Sequence, residues 1–125
     1  MFSHLTIGSN DLDKAQKFYD SLFTAIGGNP GMRMETSLMY AHDGGMLLVT
    51  TPINGEPASH GNGGTIGLTM TSPEQVEAWH AAGVANGGTT CEDPPGVREK
   101  SGMKMHLAYL RDPDNIKLCA IYRYG

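Results

Sequence analysis

The feature that most constrains the fold is an internal repeat. His4 to Gly28 runs His-Leu-Thr-Ile-Gly, a polar turn, and an amphipathic stretch closed by Gly27-Gly28. Thr65 to Gly88 runs Thr-Ile-Gly-Leu-Thr, a polar turn, and a second amphipathic stretch closed by Gly87-Gly88. Aligned this way, Phe18-Tyr19 stands opposite Trp79-His80, and the same shift carries Thr65 onto His4 and Ser72 onto Asp11. A repeat on this scale dictates the architecture before any single residue does. It predicts two copies of one strand–helix–strands module, residues 1–52 and 64–125, joined by a linker at 53–63 within a stretch, Pro52 to Gly64, that holds two prolines and four glycines.

Within the first copy, Phe2–Ile7 alternates and reads as a strand, with Leu5 and Ile7 on one face and His4 and Thr6 on the other. Leu12, Ala15, Tyr19, Leu22 and Ile26 form one helical stripe behind an Asp11 cap. Ser37–Ala41 and Met46–Thr50 flank Asp43-Gly44, a strong hairpin signal. In the second copy, Ile66, Leu68 and Met70 share a strand face, and Ser72-Pro73-Glu74-Gln75 is a well-formed helix start. Thr89 to Gly102 reads as a polar loop with room for a short strand. Met103–Leu110 and Ile116–Arg123 close the chain as strands. Each helix then covers one side of its sheet and leaves the other free to form a cup. Leu5, Ile7, Leu12, Tyr19, Leu22, Ile66, Leu68, Val76 and Trp79 are the expected buried faces.

Composition narrows the function classes. The net charge of −4 and nine scattered basic residues argue against nucleic acid. No apolar run reaches the roughly 20 residues a bilayer demands, so no membrane partner is expected. The N-terminus has no leader layout, and Cys91 and Cys119 suit free thiols, so a soluble cytoplasmic protein is expected.

His4-Leu-Thr-Ile, the helix carrying Phe18-Tyr19, the glycine-bounded second module and Arg111-Asp112-Pro113-Asp114 together resemble the vicinal oxygen chelate superfamily. That group holds glyoxalases, extradiol dioxygenases, and fosfomycin- and bleomycin-resistance proteins. The resemblance implies an α+β fold of two βαβββ modules whose mixed sheets curve into a cup, in a homodimer. It also implies metal-ligand positions in the metal-dependent members, at His4, at Leu48 or Val49, at Thr65 and at Cys119. Only His4 is a good ligand for a divalent ion, and two protein ligands at most fall short of the usual three or more. A divalent metal is therefore disfavoured as cofactor.

Two function classes remain. One is a metal-dependent lyase, isomerase or dioxygenase. The other, preferred because the ligand positions are not kept, is a metal-independent protein with a small-molecule pocket. Strand parity lines that pocket with His4, Thr6, Thr65 and Gly67; the resemblance adds Cys119, with Leu48 or Val49 on the wall. No catalytic residue is assigned. Glu35, Glu56 and Glu92 are the carboxylates expected near the rim. His42, His60 and His80 read as surface residues, while parity leaves His106 open. Most methionines read as core filling, Met70 above all.

Overall fold

Two strand–helix–strands units follow one another along the chain. The first is β1 (Leu5–Gly8), α1 (Leu12–Ala25), β2 (Met32–Arg33), β3 (Ser37–His42) and β4 (Gly45–Thr50). The second is β5 (Ile66–Thr69), α2 (Pro73–Ala85), β6 (Thr89–Thr90), β7 (Gly96–Lys100), β8 (Met103–Arg111) and β9 (Lys117–Arg123). These elements come from a computed structural model that describes residues 1–125. The fold is α+β, with two βαβββ modules forming cupped mixed sheets.

The two sheets share one strand plan. In the first the order is β1-β4-β3-β2, and in the second β5-β9-β8-β6 with β7 also on β8. β1 runs parallel to β4 and β5 parallel to β9. In the second unit β6 and β7 together fill the place of β2. The nine-residue β8 is long enough to pair β6 at Leu110–Arg111 and β7 at Met103–Leu107. β7 exceeds the short strand expected in this segment. Its residues, Gly-Val-Arg-Glu-Lys, carry little apolar signal, and Pro94-Pro95 precede them. The strand is enforced by Ser101-Gly102, whose φ values of 52° and 78° make a two-residue primed turn onto β8. Asp43-Gly44, at 49° and 85°, does the same between β3 and β4.

β1 starts at Leu5 rather than Phe2. Its parallel partner β4 begins at the hairpin turn, so the ladder opens at Leu5 opposite Leu47 and leaves Met1 and Phe2 exposed. Both helices are capped as their sequences predict. Asp11 accepts a hydrogen bond from the Lys14 backbone N–H and Ser72 one from Gln75. Gln75 reaches back to accept from the Thr71 N–H, just ahead of the cap.

The helices lie side by side. Phe18 and Trp79, equivalent in the repeat, are both fully buried. Gly83 and Gly88 allow the approach: a side chain at Gly83 would run into Leu110, and one at Gly88 into the Phe18 ring. Tyr19, Leu22, Val76 and Trp79 are buried as expected. Leu5, Ile7, Leu12, Ile66 and Leu68 are only half-buried, although all pack against the core. The strand residues among them fall short because β1 and β5 are sheet edges, with no strand paired on their outer side.

A polar clasp joins the units. The Tyr19 hydroxyl donates to Asp112 Oδ2 at 2.6 Å, while Asp112 Oδ1 accepts from the Asp114 and Ile116 backbone N–H groups. Asp114 Oδ1 accepts in turn from the Asn10 N–H, just ahead of α1. Burial pushes the Asp112 carboxyl above the ordinary carboxylate range, and the Tyr19 bond pulls it part of the way back. The net upward shift means that ionising Asp112 costs stability as pH rises from the ordinary carboxylate value through the raised folded one.

Tyr19→Phe removes the bond that favours the charged carboxylate. It is expected to lower unfolding free energy by about 1–3 kcal/mol at neutral pH. The loss should shrink as pH falls through the folded Asp112 titration, because the protonated acid depends less on that donor. Urea unfolding of both proteins across the acid range checks the size and the slope.

Candidate functional site

Strand parity sends alternate residues of the second sheet away from α2, and these line an open cleft. β9 contributes Lys117, Cys119, Ile121 and Arg123. Tyr109 of β8, the Thr65–Thr69 edge and Glu92, between β6 and β7, complete it. In the ladder Gly67 stands opposite Cys119, and Cys119 opposite Tyr109. A Cβ built on Gly67 would meet nothing within 4 Å, so the row Gly67–Cys119–Tyr109 has a bare floor at one end.

The electrostatics of this floor are set by burial. Cys119 is 8% exposed, and burial pushes its thiol pKa up despite the opposing pull of Tyr109, Lys117 and Arg123. Burial also raises Tyr109, with Cys119 and Glu92 adding to the shift. The Lys117 ammonium sits 5.1 Å from the Tyr109 ring centroid and donates to Glu92. At neutral pH the row therefore carries a neutral thiol and a neutral phenol beside a lysine that holds its own counter-ion.

The remaining expected pocket residues are placed as follows. Thr6 is exposed and meets Thr65 in a neighbouring cleft with His60. His4 lies just ahead of β1, exposed, with Nδ1 2.7 Å from Ser3 Oγ. It meets Gly67 at a largely apolar cavity of about 240 Å³ between the sheets, walled by Phe23, Ile26, Tyr40 and Leu47. Leu48 stands between Thr6 and Met39 in the ladder, whereas Val49 is fully buried in the core. Thr65, Gly67 and Cys119 thus share one cleft, and His4 and Thr6 touch it through its β5 edge.

Several residues depart from their sequence reading. His42 is not a solvated hairpin tip; it lines the apolar cavity with its ring centroid 6.0 Å from that of Phe23. His106 faces α2, with Nε2 2.7 Å from Glu77 Oε2, and so lies away from the cup. His80 is half-buried against Thr90, and burial lowers its pKa. Met70 is core, but Met32, Met34, Met46 and Met103 are exposed, so core filling does not account for most methionines. Met32, Met39, Met46 and Leu48 share a strand parity with Thr6 and form an uncharged open face on the first sheet.

The basic residues are not scattered either. Arg98 and Lys100 pair with Met105 and Met103, Arg111 with Lys117, and Met105 with Arg123. All five cations therefore share the open face of the second sheet, out of nine basic residues in the chain. Sequence reasoning overlooked Tyr109, Lys117 and Arg123. The signal was available: Lys117, Ile121 and Arg123 have the parity of Cys119.

A family model described as the Glyoxalase/Bleomycin resistance protein/Dioxygenase superfamily matches residues 1–120. The chain belongs to that superfamily. Among solved structures it is similar to a glyoxalase/bleomycin resistance protein from Albidiferax ferrireducens T118, at 54% identity and TM-score 0.94, covering 98% of this chain and 99% of that one. Lactoylglutathione lyase from Agrobacterium tumefaciens shares the fold at 17% identity and TM-score 0.65, over 97% and 92% of the two chains. Fosfomycin resistance protein FosX from Mesorhizobium loti does so at 12% identity and TM-score 0.68, over 97% and 90%. A comparison with curated proteins finds no match.

The ligand positions implied by the superfamily hold an exposed imidazole (His4), an alkyl chain (Leu48), a hydroxyl (Thr65) and a buried thiol (Cys119). No three His, Cys, Asp or Glu side chains lie together as a metal-binding group. That donor set does not fit a divalent ion, which takes three or four imidazole, carboxylate or thiolate ligands.

The raised thiol has a direct readout. Cys119 should react slowly with Ellman's reagent at neutral pH and speed up only above the ordinary thiol range, since the thiolate is the nucleophile. Both cysteines, Cys91 and Cys119, are free. The unfolded chain should accordingly titrate both thiols quickly, and Cys119→Ser should remove the slow phase of the folded protein.

Proposed function

We propose that the chain binds a small organic molecule on the open face of the second sheet, and that it does so without a metal. The observation that carries this reading is Gly67. It leaves a floor without a side chain beside Cys119 and Tyr109, between the flanking hydroxyls of Thr65 and Thr69. A pocket of this kind holds a ligand by apolar contact and orients it with a few polar groups. The donor set at His4, Leu48, Thr65 and Cys119 supports a binding role, or a metal-free reaction, over a metal-dependent lyase, isomerase or dioxygenase.

We also propose that the working unit is a homodimer. Met32 and Met34, at the β2 edge of the first sheet, and Phe2 are large apolar side chains open to water in one copy. A second copy would bury them. Sedimentation velocity should give a dimer, and Met32→Glu should shift it toward monomer.

Two measurements test the site. Gly67→Phe fills the bare floor without touching the core; it should abolish binding of a cognate small molecule while the melting temperature stays near that of the parent. Elemental analysis of the purified protein should find no stoichiometric Zn, Ni, Fe or Mn. About one tightly held ion per chain, lost in His4→Ala, would reverse the metal-free reading.

A further inference from the structure

The five cations on the open face of the second sheet are nearly without counter-ions. Two ion pairs join lysine or arginine to a carboxylate, Arg33–Asp13 and Lys117–Glu92, and His106 Nε2 meets Glu77 on the far side of the sheet. Arg98, Lys100, Arg111 and Arg123 thus have no carboxylate partner. Arg98 and Arg111 spend donors on the backbone carbonyls of Pro94 and Asn115, and the Arg123 guanidinium makes no hydrogen bond within the chain. This happens in a chain whose net charge is −4, with 13 carboxylate side chains to draw on. Glu92, the one carboxylate in the cleft, is already taken by Lys117. Like charges gathered without partners repel, and their field draws a mobile anion to the surface that carries them.

The face between them is apolar. Leu107, Ile121 and the Tyr109 ring lie on it beside the empty position at Gly67. Across the β1 and β5 edges, where Thr6 and Thr65 line one cleft, the open face of the first sheet adds Met39, Met46 and Leu48 and no charge. The open face of the second sheet is thus cationic, and that of the first, beyond the Thr6–Thr65 cleft, is apolar and adaptable.

We infer that the ligand of this cup is an organic anion: an apolar body laid over Gly67, Cys119 and Tyr109, with its charged oxygens held by Arg123 and Arg98. This inference rests on the binding site proposed above and names its substrate class. Arginine suits the task, because its planar fork donates two parallel bonds to a carboxylate, sulfonate, phosphonate or phosphate alike.

The test uses two fluorescent dyes of nearly the same shape, anilinonaphthalene sulfonate and the neutral phenyl naphthylamine. The parent should bind the sulfonate more tightly, and its affinity should fall as salt rises. Arg123→Gln and Arg98→Gln should each weaken the sulfonate about tenfold, as expected for the loss of one charge-assisted contact. Neither variant should alter the neutral dye. Lys14→Gln, on α1 and away from the cleft, should change neither. Gly67→Phe should exclude both dyes. Competition by benzoate and by phenylphosphonate then separates a carboxylate from a phosphonate preference, and inorganic phosphate should displace poorly for want of an apolar body.

The outcomes separate the two readings. If Gly67→Phe excludes both dyes but Arg123→Gln and Arg98→Gln bind the sulfonate like the parent, the site stands and the anion assignment falls. If Gly67→Phe, folded by circular dichroism, binds both dyes normally, the site itself falls. A parent that binds no sulfonate dye, or binds it no better than the neutral one, also overturns the inference. Arg123 is exposed at the end of β9, so its glutamine variant tests the charge even if Gly67→Phe does not fold.

Discussion

The structure hangs on one buried hydrogen bond, from the Tyr19 hydroxyl to Asp112. Each module alone buries one helix on one short sheet, which is a thin core for a stable domain. Joined, the modules pool their helices into a single cluster with Phe18 and Trp79 at its centre. The Tyr19–Asp112 bond is what makes the joining directional. Asp112 has already spent its other oxygen on shaping the turn before β9, so the same carboxylate that positions β9 also docks it on α1. Cys119, Lys117 and Arg123 are carried by that strand, and the placement of the cleft is therefore tied to the placement of the helices.

Much of the fold was legible in the sequence because it is local and repeated. The caps at Asp11 and Ser72, the glycines after each helix and the Asp43-Gly44 turn are short-range signals with a single structural meaning. β7 was less legible, because its strand character comes from the turn at Ser101-Gly102 and from the long partner β8, not from its own residues. The half-burial of Leu5, Ile7, Ile66 and Leu68 was not legible at all. Alternation tells which way a residue faces, but not whether its strand lies at an edge.

The candidate cleft was legible in part for the same reason. Thr65 and Gly67 share a parity that alternation reveals, and they line one cleft with Cys119, a position read from the family resemblance. His42 entered a cavity because Phe23 and the hairpin meet in space, which no local pattern records. The basic residues looked scattered because they lie on three strands separated by turns. Pairing β7 with β8 and β8 with β9 is what sets Arg98, Arg111, Lys117 and Arg123 on one surface. Charge clustering in a sheet is a property of the ladder, and it stays hidden in a linear count.

The alternation in β9 has a consequence for how such a protein can diverge. Leu118 and Ala120 are fully buried, while Lys117, Cys119, Ile121 and Arg123 between them face the cleft. Lys117, Ile121 and Arg123 can each be exchanged with little disturbance of the packing behind them, whereas Cys119 is itself buried, so this face of the strand is open to stepwise change at three of its four positions. A one-residue insertion or deletion is another matter: it would turn the cationic row toward α2 and the apolar row toward water at one stroke. Change on this strand is thus expected to come by point substitution at alternate positions, with its length held constant across descendants.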